Sequence, residues 1–114
     1  MKSTEAIPLH VLYQCFANLR TRQTEWLWPG WLALGKLTIL EGDPGLGKSF
    51  LTLDLCARLS TGRELPDGST SAGPSSTIVL SAEDDVEDTI KPRLEAMSAD
   101  MARCFFMDGV ADEL

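Results

Sequence analysis

Residues 42–49 read Gly42-Asp43-Pro44-Gly45-Leu46-Gly47-Lys48-Ser49, the pattern G-x-x-x-x-G-K-[ST] of a phosphate-binding loop. Each residue type has a physical reason to be there. Glycines let the backbone turn through positive φ and come close to an anion. The loop amides then converge into a nest at the start of a helix, where the dipole also favours negative charge. Lys48 brings a mobile cation for the β- and γ-phosphates, and the Ser49 hydroxyl suits Mg²⁺. Pro44 stiffens the loop. Phe50, the next residue, leads into the helix and is grouped with Gly42 to Ser49 as nucleotide-contacting. At average residue usage this pattern arises about 0.004 times in a chain of this length, so a bare strand-to-helix turn is a poor explanation of it.

The surroundings suit the loop. Upstream, Lys36 to Glu41 (KLTILE) reads as a short buried strand, with Leu37, Ile39 and Leu40 apolar and Thr38 β-branched. Downstream, Lys48 to Thr61 reads as a helix closed by Gly62. It is apolar over most of its circumference, with Asp54 and Arg58 marking a narrow wet face, as expected of a helix lying on a parallel sheet. Residues 63–76 are rich in Gly, Ser, Pro and Thr and read as a surface loop. Thr77 to Ala82 (TIVLSA) is a second strand. Val86, Ile90, Leu94 and Met97 form a helical stripe that Pro92 must kink or restart. Cys104 to Met107 (CFFM) is a third strand. Near the start, Pro8 and the stripe Val11, Leu12, Cys15, Phe16, Leu19 predict a helix over residues 8–21. The alternating order α–β–α–β–α–β implies an α/β fold with a parallel sheet and right-handed crossovers.

Glu83 follows the second strand directly, on the rim of a parallel sheet where the phosphate loop also lies. It is a candidate general base for water attacking a γ-phosphate. The competing account is that Glu83, Asp84 and Asp85 open a helix; Asp84 or Asp85 suffices as a cap, which leaves Glu83 free. Asp108, after Phe105-Phe106-Met107, has the local form of a metal-binding carboxylate at a strand end. The segment Trp26-Leu27-Trp28-Pro29-Gly30-Trp31 is read as packing a lead-in onto the core. A base-stacking platform would interleave basic residues with the aromatic ones.

The 114 residues carry 10 basic and 17 acidic side chains, a net charge of −7. That balance gives no general attraction to nucleic acid. Cys15, Cys56 and Cys104 are widely spaced, form no CxxC pair, and with the single His10 make no metal site. They read as reduced thiols packed as small apolar residues. No apolar stretch approaches the ~20 residues of a membrane span, and the N-terminus lacks the form of a secretory signal. The expected location is cytoplasmic.

Trp26 to Gly30, Gly35-Lys36-Leu37-Thr38, Gly42 to Ser49, Ser81-Ala82-Glu83-Asp84-Asp85 and Thr89-Ile90 with Pro92-Arg93-Leu94 together resemble the AAA family ATPases with a RecA-like P-loop core, related to the RepA-type plasmid replicative helicases. The resemblance spans about residues 25–110. It implies ATP and Mg²⁺ as ligands, ATP hydrolysis, a homo-hexamer, and roles in DNA replication or mobile-element metabolism, with DNA as a partner. It assigns Lys48 and Glu83 as catalytic and Ser49 as the Mg²⁺ ligand. It gives no role to Asp108, because the family's metal-binding aspartate follows a later strand. Residues 1–34 then form an N-terminal helix and Trp-rich lead-in, and residues 35–114 the N-terminal portion of a RecA-like domain. The Walker B and later strands of that fold are missing from the sequence, so the expected sheet is incomplete. The alternative to an active ATPase is a truncated, catalytically silent nucleotide-binding module that needs a partner segment. A small-molecule kinase would keep the loop but add lid arginines and an acceptor pocket, which are not identifiable. GTP is disfavoured because no N-K-x-D segment is present.

Overall fold

The computed structural model describes residues 6–112. Its central element is helix α1, Lys48–Thr61, with the bounds the sequence predicts. Gly47 precedes it at φ 84° and Gly62 ends it at φ 71°. Both angles lie in the left-handed region, where a Cβ is strained. Leu53, Cys56, Ala57, Leu59 and Ser60 of α1 are buried.

One face of α1 packs on a parallel pair, β3 (Thr77–Val79) and β4 (Cys104–Phe106), in the register Thr77 with Cys104, Ile78 with Phe105 and Val79 with Phe106. The pair is shorter than the predicted strands, although the Met107 amide still donates to the Val79 carbonyl. Parallel strands require a crossover connection. Here it contains a π-helical turn, Val86–Ile90, followed by helix α2, Lys91–Ala96, with Pro92 in its first turn. The predicted kink is thus a restart: proline lacks the amide an interior helical position needs, and the first turn is where that lack costs least. Leu53 and Cys56 of α1 meet Ile90 and Leu94 in the core, with Val79, Val86, Met97, Met101 and Cys104 packed around them. Burial pushes the Cys56 thiol above its ordinary value, because the thiolate would lose its solvation there.

The tryptophan segment forms an antiparallel hairpin, β1 (Trp26–Trp28) with β2 (Leu32–Ala33), turned at Pro29-Gly30. The Trp28 indole donates to Asp67 Oδ1 at 3.0 Å. Asp67 also accepts from the Ser69 hydroxyl and amide, and these donors, Ser69 first, hold its carboxyl below the usual range. The hairpin is therefore tied to the loop after α1 through Trp28, while Trp26 and Trp31 are exposed. That loop is not wholly a surface feature, since Leu65 is 1% exposed and anchors it.

Two predicted elements are not formed. Residues 8–21 form no helix beyond a single 3₁₀ turn, Phe16–Asn18. Val11, Leu12 and Phe16 are 87–91% exposed. A helix of this length is marginal in water unless its apolar stripe is buried, and no residue of this stripe is buried. Residues 36–41 pair with no strand among the described residues, leaving Leu37, Ile39 and Leu40 exposed. A strand needs a neighbour for its backbone groups, and β3 and β4 engage only each other. The radius of gyration, 20.6 Å, exceeds the roughly 13 Å of a compact domain of this length, consistent with an arm standing off the body.

Candidate functional site

The start of α1 opens onto a cleft of about 610 Å³ lined by Pro44, Gly45, Gly47, Lys48, Ser49 and Phe50 from one side. Glu83, Asp84 and Arg93 line the other. The loop reaches this form because Gly45 and Gly47 take φ of 83° and 84°, which turns the backbone sharply into the helix. The helix has 14 residues and no side-chain cap at Gly47, so its first amides are left for a ligand. The Lys48 ammonium donates to the Gly42 carbonyl of its own loop. That contact folds the lysine back over the loop.

The opposite wall is built by the end of β3 and the crossover. The Asp84 amide donates to Ser81 Oγ at 3.1 Å. Asp85 caps the π-helical turn, accepting from the amides of Glu87 at 2.8 Å and Asp88 at 3.0 Å. Those two amides, Asp88 first, hold the Asp85 carboxyl below its usual range. Capping is thus done by Asp85, which turns away from phosphate chemistry, while Glu83 and Asp84 face the cleft. Arg93 Nη1 stands 4.0 Å from Asp84 Oδ2, and its guanidinium lies 4.3 Å from the centroid of the Phe50 ring.

Of the positions singled out in the sequence, Pro44, Gly45, Gly47, Lys48, Ser49, Phe50 and Glu83 share this cleft. Gly42 touches it through Lys48. Asp43 and Leu46 are on the loop but not on the cleft wall, and Leu46 is 70% exposed. Asp108 lies elsewhere, against Ile78, Phe105 and Phe106 on the sheet. Arg93 and the cleft-facing role of Asp84 were missed. Helical spacing held the signal for Arg93: it precedes buried Leu94 by one residue and so points off the core face, toward the end of β3.

Ser49 and the carboxylates here are hard oxygen donors, the kind Mg²⁺ takes. No group of three His, Cys, Asp or Glu side chains able to hold a metal occurs among the described residues. Of the residues lining the cleft, the Ser49 hydroxyl is the one that could hold a Mg²⁺ ion beside the phosphate loop. No described helix is long and apolar enough to cross a membrane.

A short parallel sheet, an apolar helix on it and a glycine loop feeding that helix are compatible with part of a P-loop nucleotide-binding domain. Residues 5–113 match the family model described as AAA domain, and the chain belongs to that family of nucleotide-binding ATPases. Neither a curated relative nor a solved structure matches.

Proposed function

We propose that the chain binds Mg-ATP in the cleft at the start of α1 and positions it for hydrolysis. The observation carrying this reading is that Glu83, remote in sequence from the adjacent Lys48 and Ser49, lines one cleft with them. The loop amides and Lys48 hold the β- and γ-phosphates. Lys48 exchanges the neutral Gly42 carbonyl for an anion, a charge-assisted contact that is stronger. Mg²⁺, when bound through Ser49, supplies charge neutralisation on the phosphate oxygens. Glu83 orients a water and accepts its proton as that water attacks the γ-phosphorus, while the bond from that phosphorus to the β,γ-bridging oxygen breaks and ADP leaves.

Within the family, the chain is proposed to be of the RecA-like kind related to RepA-type plasmid helicases, acting in replication or mobile-element DNA metabolism. The support is the Ser81-Ala82-Glu83-Asp84-Asp85 segment combined with the loop and Thr89 to Leu94. A second reading is favoured by the unpaired Leu37, Ile39 and Leu40: a nucleotide-binding module that stays silent until a partner segment pairs with residues 36–41. The test is calorimetry of Mg-ATP binding to the chain and to Lys48→Ala, with phosphate release measured with and without single-stranded DNA. Tight binding by the parent alone, with turnover, supports the ATPase. Binding without turnover supports the silent module. Equal binding by both proteins rejects both readings.

A further inference from the structure

Two of the three cysteines belong to one core. Cys56 of α1 is buried, 8% exposed, in the cluster with Leu53, Ile90 and Leu94, and Cys104 of β4 packs against that cluster. Strand β3 relates the two thiols. Thr77 is the register partner of Cys104, and partners on neighbouring strands, about 4.8 Å apart, project from the same face of a sheet. That face is the one α1 covers, since Val79, two residues beyond Thr77, also packs on the cluster. The Thr77 hydroxyl is buried without a full hydrogen bond and stands beside the Cys56 thiol. Cys56 therefore lies over the pair Thr77 and Cys104, and neither thiol lines the nucleotide cleft.

Access to the two differs. Cys104 is half-buried and stands on the wall of a cavity of about 310 Å³ beside Val86, Met101 and Phe106. Cys56 is buried and is not on that wall, so a small solute meets Cys104 first. Burial raises the Cys56 thiol above its ordinary value, the Thr77 hydroxyl draws it back in part, and the nearby Cys104 thiol raises it again. A thiol held protonated is a poor first nucleophile. Its place is to close a bond on a neighbour that is already oxidised.

We propose that Cys104 and Cys56 are a peroxide-responsive thiol pair, which closes a disulfide between β4 and α1. The Cys104 sulfur attacks hydrogen peroxide: an S–O bond forms, the O–O bond breaks, and water leaves a sulfenic acid on Cys104. The Cys56 sulfur then attacks the Cys104 sulfur. The S–S bond forms, the S–O bond breaks, and the departing hydroxide takes the Cys56 proton as water. Two thiols and one hydrogen peroxide give one disulfide and two waters, and a dithiol reverses the change. The bond ties the helix whose first turn carries Lys48 and Ser49 to the strand beneath it, so the seat of the phosphate loop becomes sensitive to redox state. The inference does not depend on nucleotide binding.

The test uses the full 114-residue chain and, beside it, Cys15→Ser, because exposed Cys15 is open to pairing between copies. Both are treated with equimolar hydrogen peroxide in native buffer, alkylated, and digested without reductant. The expected result is a linked Cys56–Cys104 peptide, loss of both thiols, and a raised thermal midpoint that a dithiol reverses. In Cys56→Ala the reaction stops after its first step, and dimedone labels Cys104. In Cys104→Ala the Cys56 thiol survives the same treatment. The parent decides the matter should either variant fail to fold. Free thiols at both positions after peroxide, a lasting dimedone label on Cys104 of the parent, label on Cys56 ahead of Cys104, or a linkage that forms only in urea each overturn the proposal.

Discussion

The Arg93 guanidinium sits over the ring of Phe50, 4.3 Å from its centroid, and so joins the crossover to the first turn of α1 across the mouth of the cleft. A cation over a phenyl ring at an exposed site is worth about 0.5–1 kcal/mol, and the 4.0 Å pair with Asp84 adds little at this exposure. Arg93→Ala is expected to lower the thermal midpoint by a few degrees. It also leaves the Asp84 carboxylate uncompensated in the cleft, so Mg-ATP binds more weakly. Thermal unfolding and calorimetry on the same variant check both effects.

Lys48→Ala removes the one cation that the phosphate loop itself supplies. A hydrogen bond to a charged group contributes about 1.5–3 kcal/mol, so affinity for Mg-ATP is expected to fall roughly 10- to 100-fold. Stability without nucleotide should barely change, because among the described residues the exposed Lys48 ammonium donates to the Gly42 carbonyl alone. Calorimetric titration beside ligand-free melting separates the two.

Ser60 is 1% exposed and its hydroxyl joins two segments. It donates to the Ala57 carbonyl at 2.6 Å and accepts from the Asp100 amide at 2.8 Å. Ser60→Ala leaves that amide without its protein partner. Water reaches Asp100 in part, so the expected loss is about 1 kcal/mol. Denaturant unfolding should show a lower midpoint with an unchanged slope.

Acid should loosen the crossover through Asp85. Amides of Asp88 and Glu87 hold its folded-state carboxyl below the ordinary value. Its contribution is therefore present above the unfolded value, about 3.9, and is lost as pH falls through the lower folded one. Asp85→Asn keeps a good cap without the charge. It is expected to match the parent near neutrality and to lose less stability below about pH 4. Thermal midpoints across that range check it.

The sequence was most legible where local and tertiary preferences agree. The bounds of α1 could be read because an apolar helix lies between glycines that turn the chain at both ends. The parallel pair could be read because TIVL and CFF are apolar runs separated by a crossover of sufficient length. The helix over 8–21 failed because its stripe stays exposed in the described structure, and periodicity cannot report whether a stripe is covered. KLTILE failed for the related reason that a strand is a property of a pair. Leu65 was hidden in a polar loop. Arg93 was hidden because a lone arginine beside a buried leucine looks like any solvated helix face.

Glu83 is the position where the proposed chemistry is most exposed to test. It lines the same cleft as Lys48 and Ser49, and the capping duty that would otherwise explain it is carried by Asp85. A base that acts only as water attacks contributes nothing to holding the nucleotide, so binding and turnover should separate. Glu83→Gln preserves shape and removes the proton acceptor. It is expected to bind Mg-ATP within about twofold of the parent while turnover falls roughly 10²- to 10⁴-fold, the usual contribution of a positioned general base. Equal losses in kcat and in kcat/KM would mark a group used only in the transition state. Asp84→Asn is the neighbouring control: it faces the same cleft but is paired with Arg93, so its turnover should fall far less. Steady-state phosphate release with calorimetric affinities decides the matter. Turnover unchanged in Glu83→Gln removes Glu83 from the reaction, and turnover lost equally in both variants assigns the effect to the charge of the wall.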